Sequence, residues 1–174
     1  VRADAQRNRA LILDTAELVF AAEGAAASTE EVARRAGLAI GTVFRHFPTK
    51  DDLLTAIMKR LLARLVERAG GLSGPYGLFT FFGTLVAEAA EKRTVVAMAG
   101  VDIGAAMGAL DDAVGELLVQ AQSAGVVNRE VRLPEVMALL TSVGQGALHG
   151  GWDADLQQRT LAVIFAGLVP PPRA

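Results

Sequence analysis

The sequence predicts an all-α fold, with a three-helix helix-turn-helix unit at the N-terminal end and a larger helical domain after it. Three observations carry that expectation. Apolar residues recur at three- and four-residue intervals nearly throughout, with no convincing period-two alternation. The periodic runs start at capping residues and stop at glycine or proline. The 174 residues are 52% hydrophobic and 21% charged, with a formal net charge of -2. That balance excludes disorder, and a chain of this length buries roughly 70% of its unfolded surface. The absence of cysteine removes disulfides, thiolate nucleophiles and cysteine-ligated zinc together. A mean hydropathy of +0.35 raises the question of membrane insertion. The uncharged run 69–87 is broken by Gly70, Gly71, Gly74, Pro75, Gly77 and Gly83, and the run 136–152 by Thr141, Ser142, Gln145 and His149. Both read as buried helices of a soluble protein, not as spans of about 20 apolar residues. The first residues, Val-Arg-Ala-Asp-Ala-Gln-Arg, hold no apolar core of a signal peptide, so a cytoplasmic location is expected.

The first helix is predicted from about Arg7 to Glu23, because Ile12, Ala16, Val19 and Phe20 share one face and Gly24 follows as a stop. A short second helix starts at Ser28, where Ser-Thr-Glu-Glu places Glu31 for a capping box, and ends at Gly37. The third runs from about Ile40 to Phe47 and is stopped by Pro48. Thr49 then caps a long fourth helix to about Ala69, with Leu53, Leu54, Ile57, Leu61, Leu65 and Val66 as its apolar stripe. Composition changes at that point. Fifteen of the 18 glycines follow Ala69, and Gly70-Gly71-Leu72-Ser73-Gly74-Pro75-Tyr76-Gly77 reads as a hinge or loop. Further helices are expected at about Leu78–Lys92, Val95–Met107, Ala109–Ala124, Pro134–His149 and Ala154–Val169. The expected division is residues 1–47, extended by the connecting helix 49–69, and residues 70–174.

Ser28 to Phe47 is the most informative stretch. A capped short helix, a glycine turn and a second short helix are the parts of a helix-turn-helix, whose second helix enters a major groove. Short helices joined through glycine are also common in all-α cores, so spacing alone leaves both readings open. Charge adds to the first. Residues 1–68 hold 11 Lys/Arg against 9 Asp/Glu, while the remainder holds 6 against 10. Gly41 lets a backbone come close to a phosphate, Thr42 offers a hydroxyl, and Arg45 can reach a base edge or a phosphate. Lys50, in the first turn of the fourth helix, opposes the helix dipole unless an anion binds there.

The order Ile12-Leu13…Ala16…Val19-Phe20…Gly24, Ser28…Val32-Ala33-Arg34-Arg35-Ala36-Gly37-Leu38 and Gly41-Thr42-Val43-Phe44-Arg45-His46-Phe47-Pro48-Thr49-Lys50-Asp51-Asp52-Leu53-Leu54 resembles the N-terminal domain of TetR-type transcriptional regulators over roughly residues 7–58. The resemblance implies an all-helical bacterial homodimer that binds palindromic operator DNA, most simply as a repressor, and is released by a small ligand. Carried over by position, Thr42, Arg45 and His46 would contact DNA beside Gly41, and Lys50 would grip phosphate. Two positions depart from the family pattern. Phe44 stands where a tyrosine usually offers its hydroxyl to phosphate, so the packing is kept and that bond is lost. Ala39 replaces a Ser or Thr cap worth about 1 kcal/mol.

The C-terminal part carries less. Val136, Leu139, Leu140, Val143 and Ala147 form one apolar stripe, and Leu161, Ile164, Phe165 and Leu168 another. The resemblance implies that these two helices build a four-helix interface with a second copy; an intrachain core is the other reading. Gly100, Gly104 and Gly108 share a helix face, which either admits a neighbouring helix or leaves room for a ligand. Phe79, Phe82, Met98, Met107 and Trp152 are the candidate apolar walls of an effector site, with Asp102 and His149 as polar points. No enzyme is expected. His46 and His149 lack carboxylates at metal-binding spacing, and no phosphate loop or catalytic triad is assembled, so no metal, cofactor or catalytic residue is assigned. The alternative to a DNA-binding regulator is a helical small-molecule carrier that never touches DNA.

Overall fold

The computed structural model describes residues 2–91 and 104–171, and all regular structure among them is helical. The helices are α1 (Arg2–Glu23), α2 (Thr29–Ala36), α3 (Ile40–His46), α4 (Lys50–Gly70), α5 (Gly77–Glu91), α6 (Gly104–Ser123), α7 (Leu133–Gly150) and α8 (Ala154–Leu168), with a 3-10 turn at Gly24–Ala26. They divide into two compact units, one up to Leu61 and one from Leu62 onward, so the boundary falls inside α4. No described helix is long and apolar enough to cross a membrane.

In the first unit, α1 supplies the spine. Ile12, Ala16, Val19 and Phe20 are buried with Val32 and Ala33 of α2, Val43 of α3, and Leu53, Leu54 and Ile57 of α4. Removing this apolar surface from water is what holds four helices, each too short or too mixed to persist alone, in one arrangement. The helix starts are secured locally. The Ser28 hydroxyl accepts from the Glu31 amide at 3.1 Å. The other half of the expected capping box is replaced: the Glu31 carboxylate accepts from Arg34 at 2.8 and 2.6 Å and from Arg35 at 2.5 Å. At α4 the reciprocal cap is complete, with the Thr49 amide donating to Asp52 at 3.0 Å and the Asp52 amide donating to Thr49 Oγ1 at 3.1 Å. Two bonds join distant turns: Arg60 of α4 donates to Glu17 at 2.9 Å and to Asp14 at 2.5 Å, both on α1.

In the second unit α5 packs most extensively on α7 and also meets α6 and α8. Val86, Val143 and Ala147 form a buried cluster, flanked by Ala89, Trp152, Leu161 and Ile164. Arg68, near the end of α4, pairs with Glu88 of α5. The loop after α6 is tied down by Gln122, whose amide donates to the Asn128 and Val131 carbonyls at 3.1 and 2.8 Å. The Asn128 amide reaches the Leu168 carbonyl at 2.8 Å. Trp152 lies against α7 so closely that a Cβ at Gly146 would stand 2.7 Å from its ring, and one at Gly150 would also collide with it.

The described helices follow the expected order, with α1 starting at Arg2, ahead of the expected Arg7, and the expected Val95–Met107 helix lying outside the described residues up to residue 103. A break was expected between Met107 and Ala109, but α6 runs unbroken through Gly108. A Cβ at Gly108 would meet nothing within 4 Å, so close packing against another described element does not account for that glycine. Gly100 lies outside the described residues.

Candidate nucleic-acid interface

The turn between α2 and α3 is built around Gly37. Its φ of 66° lies in the left-handed region that L side chains rarely adopt. The Leu38 amide closes back on the Ala33 carbonyl at 3.0 Å, ending α2 and redirecting the chain. Ala39 is extended and gives no side-chain cap, as its residue type dictates, and α3 begins at Ile40.

α3 has two distinct faces. Val43, with Phe47 just beyond the helix end, is buried against the α1–α2–α4 core. The Arg9 guanidinium lies over the Phe47 ring at 5.2 Å, fixing the end of α3 against α1. Gly41 and Arg45 lie opposite that face in water, Ile40 and Phe44 are exposed along its flank, and Thr42 and His46 are half-buried. No Asp or Glu occurs between Val32 and Thr49. Arg45 Nε donates to the Gly41 carbonyl at 3.3 Å, which lays the guanidinium along the helix. A Cβ at Gly41 would meet nothing within 4 Å, so the fold itself makes no demand for glycine there.

Lys50 is engaged within the chain. Its ammonium donates to the Ala27 carbonyl at 2.7 Å and lies 5.4 Å from the centre of the Phe20 ring. The side chain thus fastens the start of α4 to the turn before α2, a placement that sequence proximity to a helix start did not reveal. On α2, Arg35 bridges Glu31 and Glu23 at 2.5 and 2.7 Å, joining α2 to the end of α1. The hydrogen bonds from Arg34 and Arg35 hold the Glu31 carboxyl down at about 2.

The residues expected around an effector are distributed differently. Phe79 and Phe82 of α5 converge edge-on upon Phe165 of α8, with ring centres 4.6 and 5.9 Å from it. Trp152 packs on the glycines of α7, Met107 is half-buried on α6, and His149 is exposed. The His149 ring lies 3.1 Å from Gln145 Oε1. Met98 and Asp102 lie outside the described residues. The two apolar stripes expected between subunits need a correction. Val136 and Ala147 are 0% exposed within the single chain, and Leu140, Val143 and Leu168 are buried too. These five belong to the intrachain core: α5 packs on α7, which carries Val136, Leu140, Val143 and Ala147, and also on α8, which ends at the buried Leu168. Leu139, Leu161, Ile164 and Phe165 remain half-buried.

Sequence reasoning missed Ile40 as part of the exposed face of α3, although an apolar residue four before Phe44 was a readable signal. It also missed Arg60, whose partners are more than 40 residues away. Among the described residues no group of three or more His, Asp or Glu is placed to hold a metal.

An acid-free helix that follows a tight glycine turn and shows an Arg-bearing face to solvent defines a helix-turn-helix protein of the DNA-binding kind. Comparison with known proteins narrows the class. Residues 12–57 match the family described as bacterial regulatory proteins, tetR family, and residues 75–170 match the SbtR-like transcriptional regulator C-terminal domain. The TetR transcription regulatory protein from Mycobacterium vanbaalenii is 37% identical, over 97% of this chain and 99% of that one, with a TM-score of 0.73. A TetR transcriptional regulator from Streptomyces coelicolor is 29% identical over 93% and 98% of the two chains, with a TM-score of 0.67. The HTH-type transcriptional repressor LfrR of Mycolicibacterium smegmatis is 40% identical over 73 residues, a match that spans 40% of this chain and 38% of that repressor. The chain belongs to the TetR family of transcriptional regulators.

Proposed function

We propose that the chain is a ligand-responsive repressor that binds a palindromic operator as a homodimer and releases it when a small molecule binds the C-terminal unit. The observation that carries the DNA-binding half is the exposed face of α3. Gly41, Thr42, Phe44 and Arg45, with His46 at the edge, offer donors, no acid and a position without a Cβ where a backbone can approach closely. A net charge of only -2 leaves binding to a few placed groups more than to bulk attraction. Lys50 serves this site first by holding α4 against the turn before α2.

The effector is assigned to the second unit, with Phe79, Phe82, Met107 and Trp152 as apolar candidates and His149, exposed, at the surface of α7; Met98 and Asp102 stay in the proposal on the sequence argument alone. α4 belongs to both units, so it is the natural connector. Arg60 ties it to α1 and Arg68 ties it to α5. An effector acts only by binding the DNA-incompetent arrangement more tightly than the competent one. For the homodimer we assign the outward strip of α8, including Ala162, Val163 and Ala166, with the half-buried Leu139, Leu161, Ile164 and Phe165 at its edge. Work on DNA places the protein in the cytoplasm.

The test is selection of bound duplexes from a random pool, followed by salt titration. A palindromic consensus, with affinity falling steeply as salt rises and a shallower slope for Arg45→Ala, supports the repressor. Absence of saturable binding to any selected sequence removes it.

A further inference from the structure

The first two residues of α3 and the residue before them carry no hydrogen-bonding side chain. Ala39, Ile40 and Gly41 follow one another where the chain enters the helix, and this is the end of a recognition helix that meets base edges. Ile40 is nevertheless 37% exposed and Phe44 40% exposed. One helical turn separates them, so they stand side by side on the flank of α3 that borders the buried Val43. Two large apolar side chains kept in water on a seven-residue helix gain nothing from the fold for the part that stays outside, and burying that part against an apolar surface is favourable. Gly41, between them in sequence and without a Cβ contact of its own, adds no bulk to the same face.

Within a major groove the natural bases present donors and acceptors at every edge and one apolar group, the C5 methyl of thymine. We infer that Ile40 and Phe44 form an apolar reading pair that selects thymine by its methyl group in each half-site. The inference rests on the DNA-binding reading above and assigns it a specificity that hydrogen-bond donors alone do not supply. Arg45 lies beside Phe44 with its guanidinium along the helix, so polar and apolar readout share one face. The absence of acid from Val32 to Thr49 suits this face to DNA and sets no charge against the phosphates that flank the groove.

The experiment uses the full chain and its selected duplex, replacing each thymine in turn by deoxyuridine, which removes the methyl and leaves base pairing intact. At one or two thymines per half-site the wild-type protein is expected to lose about fourfold in affinity per methyl, the value of one buried carbon group. In Phe44→Ala or Ile40→Ala the thymine-to-uracil ratio at the corresponding position falls to one. Because more than half of each residue is buried, circular dichroism is expected to show an unchanged fold with melting lowered by a few degrees, and binding is compared well below the transition. Two results overturn the inference: equal binding of thymine and uracil duplexes at every position, or a methyl effect that persists unchanged in both variants. Both leave DNA binding itself standing. Failure of the wild-type protein to bind any selected duplex overturns the proposed function, and the reading pair with it.

Discussion

Gly41 separates the needs of the fold from those of the site. Nothing stands within 4 Å of the place its Cβ would occupy, and its backbone is helical. Gly41→Ala is therefore expected to raise stability by about 0.5–1 kcal/mol while weakening DNA binding, because the added methyl fills the space a phosphate or base edge would use. Chemical denaturation and an operator titration on the same preparation check both signs; a more stable variant with unchanged affinity refutes the role. Glu31 makes a second prediction at this scale. Its carboxyl is lowered from 4.5 to about 2 by Arg34 and Arg35. A carboxyl lowered on folding contributes stability that is fully present above its unfolded value near 4.5 and is lost as the pH falls toward 2. In Glu31→Gln that part of the acid dependence disappears, and an NMR titration of wild type should find the Glu31 carboxyl near 2.

At the scale of single elements, α4 is held by specific bonds at separated points along its length. Lys50 reaches the Ala27 carbonyl, Arg60 reaches α1, and Arg68 reaches α5. The Arg60 bonds are unequal in their surroundings: the Glu17 side chain is 21% exposed and the Asp14 side chain 63%. Water screens the second more than the first. Arg60→Ala is expected to cost about 1–2 kcal/mol. In double-mutant cycles the Arg60–Glu17 coupling should exceed the Arg60–Asp14 coupling. Equal couplings, measured by urea unfolding, contradict the screening argument. The helix boundaries themselves were mostly legible. Ser28, Gly37, Pro48, Thr49 and Gly125 act locally, within one turn of the residues they govern, and local signals survive in a linear sequence. The continuity of α6 through Gly108 was not legible, because glycine weakens a helix without forbidding it.

For the whole molecule, the surface proposed for the homodimer is the outer side of α8. Val163 is 75% exposed, an isolated branched apolar residue among the exposed Ala162, Ala166 and Gly167. Val163→Glu is expected to shift the protein from twice the 18.2 kDa chain mass to the chain mass in sedimentation equilibrium. It should also weaken operator binding, because a two-fold operator is matched by two recognition helices held at a fixed separation. A variant that remains dimeric moves the interface elsewhere.

The sequence by itself determined the all-α class, the order of the helices, the glycine turn that sets α3 against α2, and the donor-bearing residues from Gly41 to His46. Each depends on chemistry within a few residues, where capping, backbone restriction and helical period operate. Only the tertiary structure decided what each apolar stripe faces. The periodicity that marks Val136, Leu140, Val143 and Ala147 as one face is the same whether a second subunit or the chain itself covers it; all four are buried within the single chain, where α5 packs on α7. Tertiary structure also decided where long side chains end, since Lys50 and Arg60 find partners 23 and more than 40 residues away. Those pairings follow from the packing of α1, α2 and α4 around one core, which no local window of sequence contains.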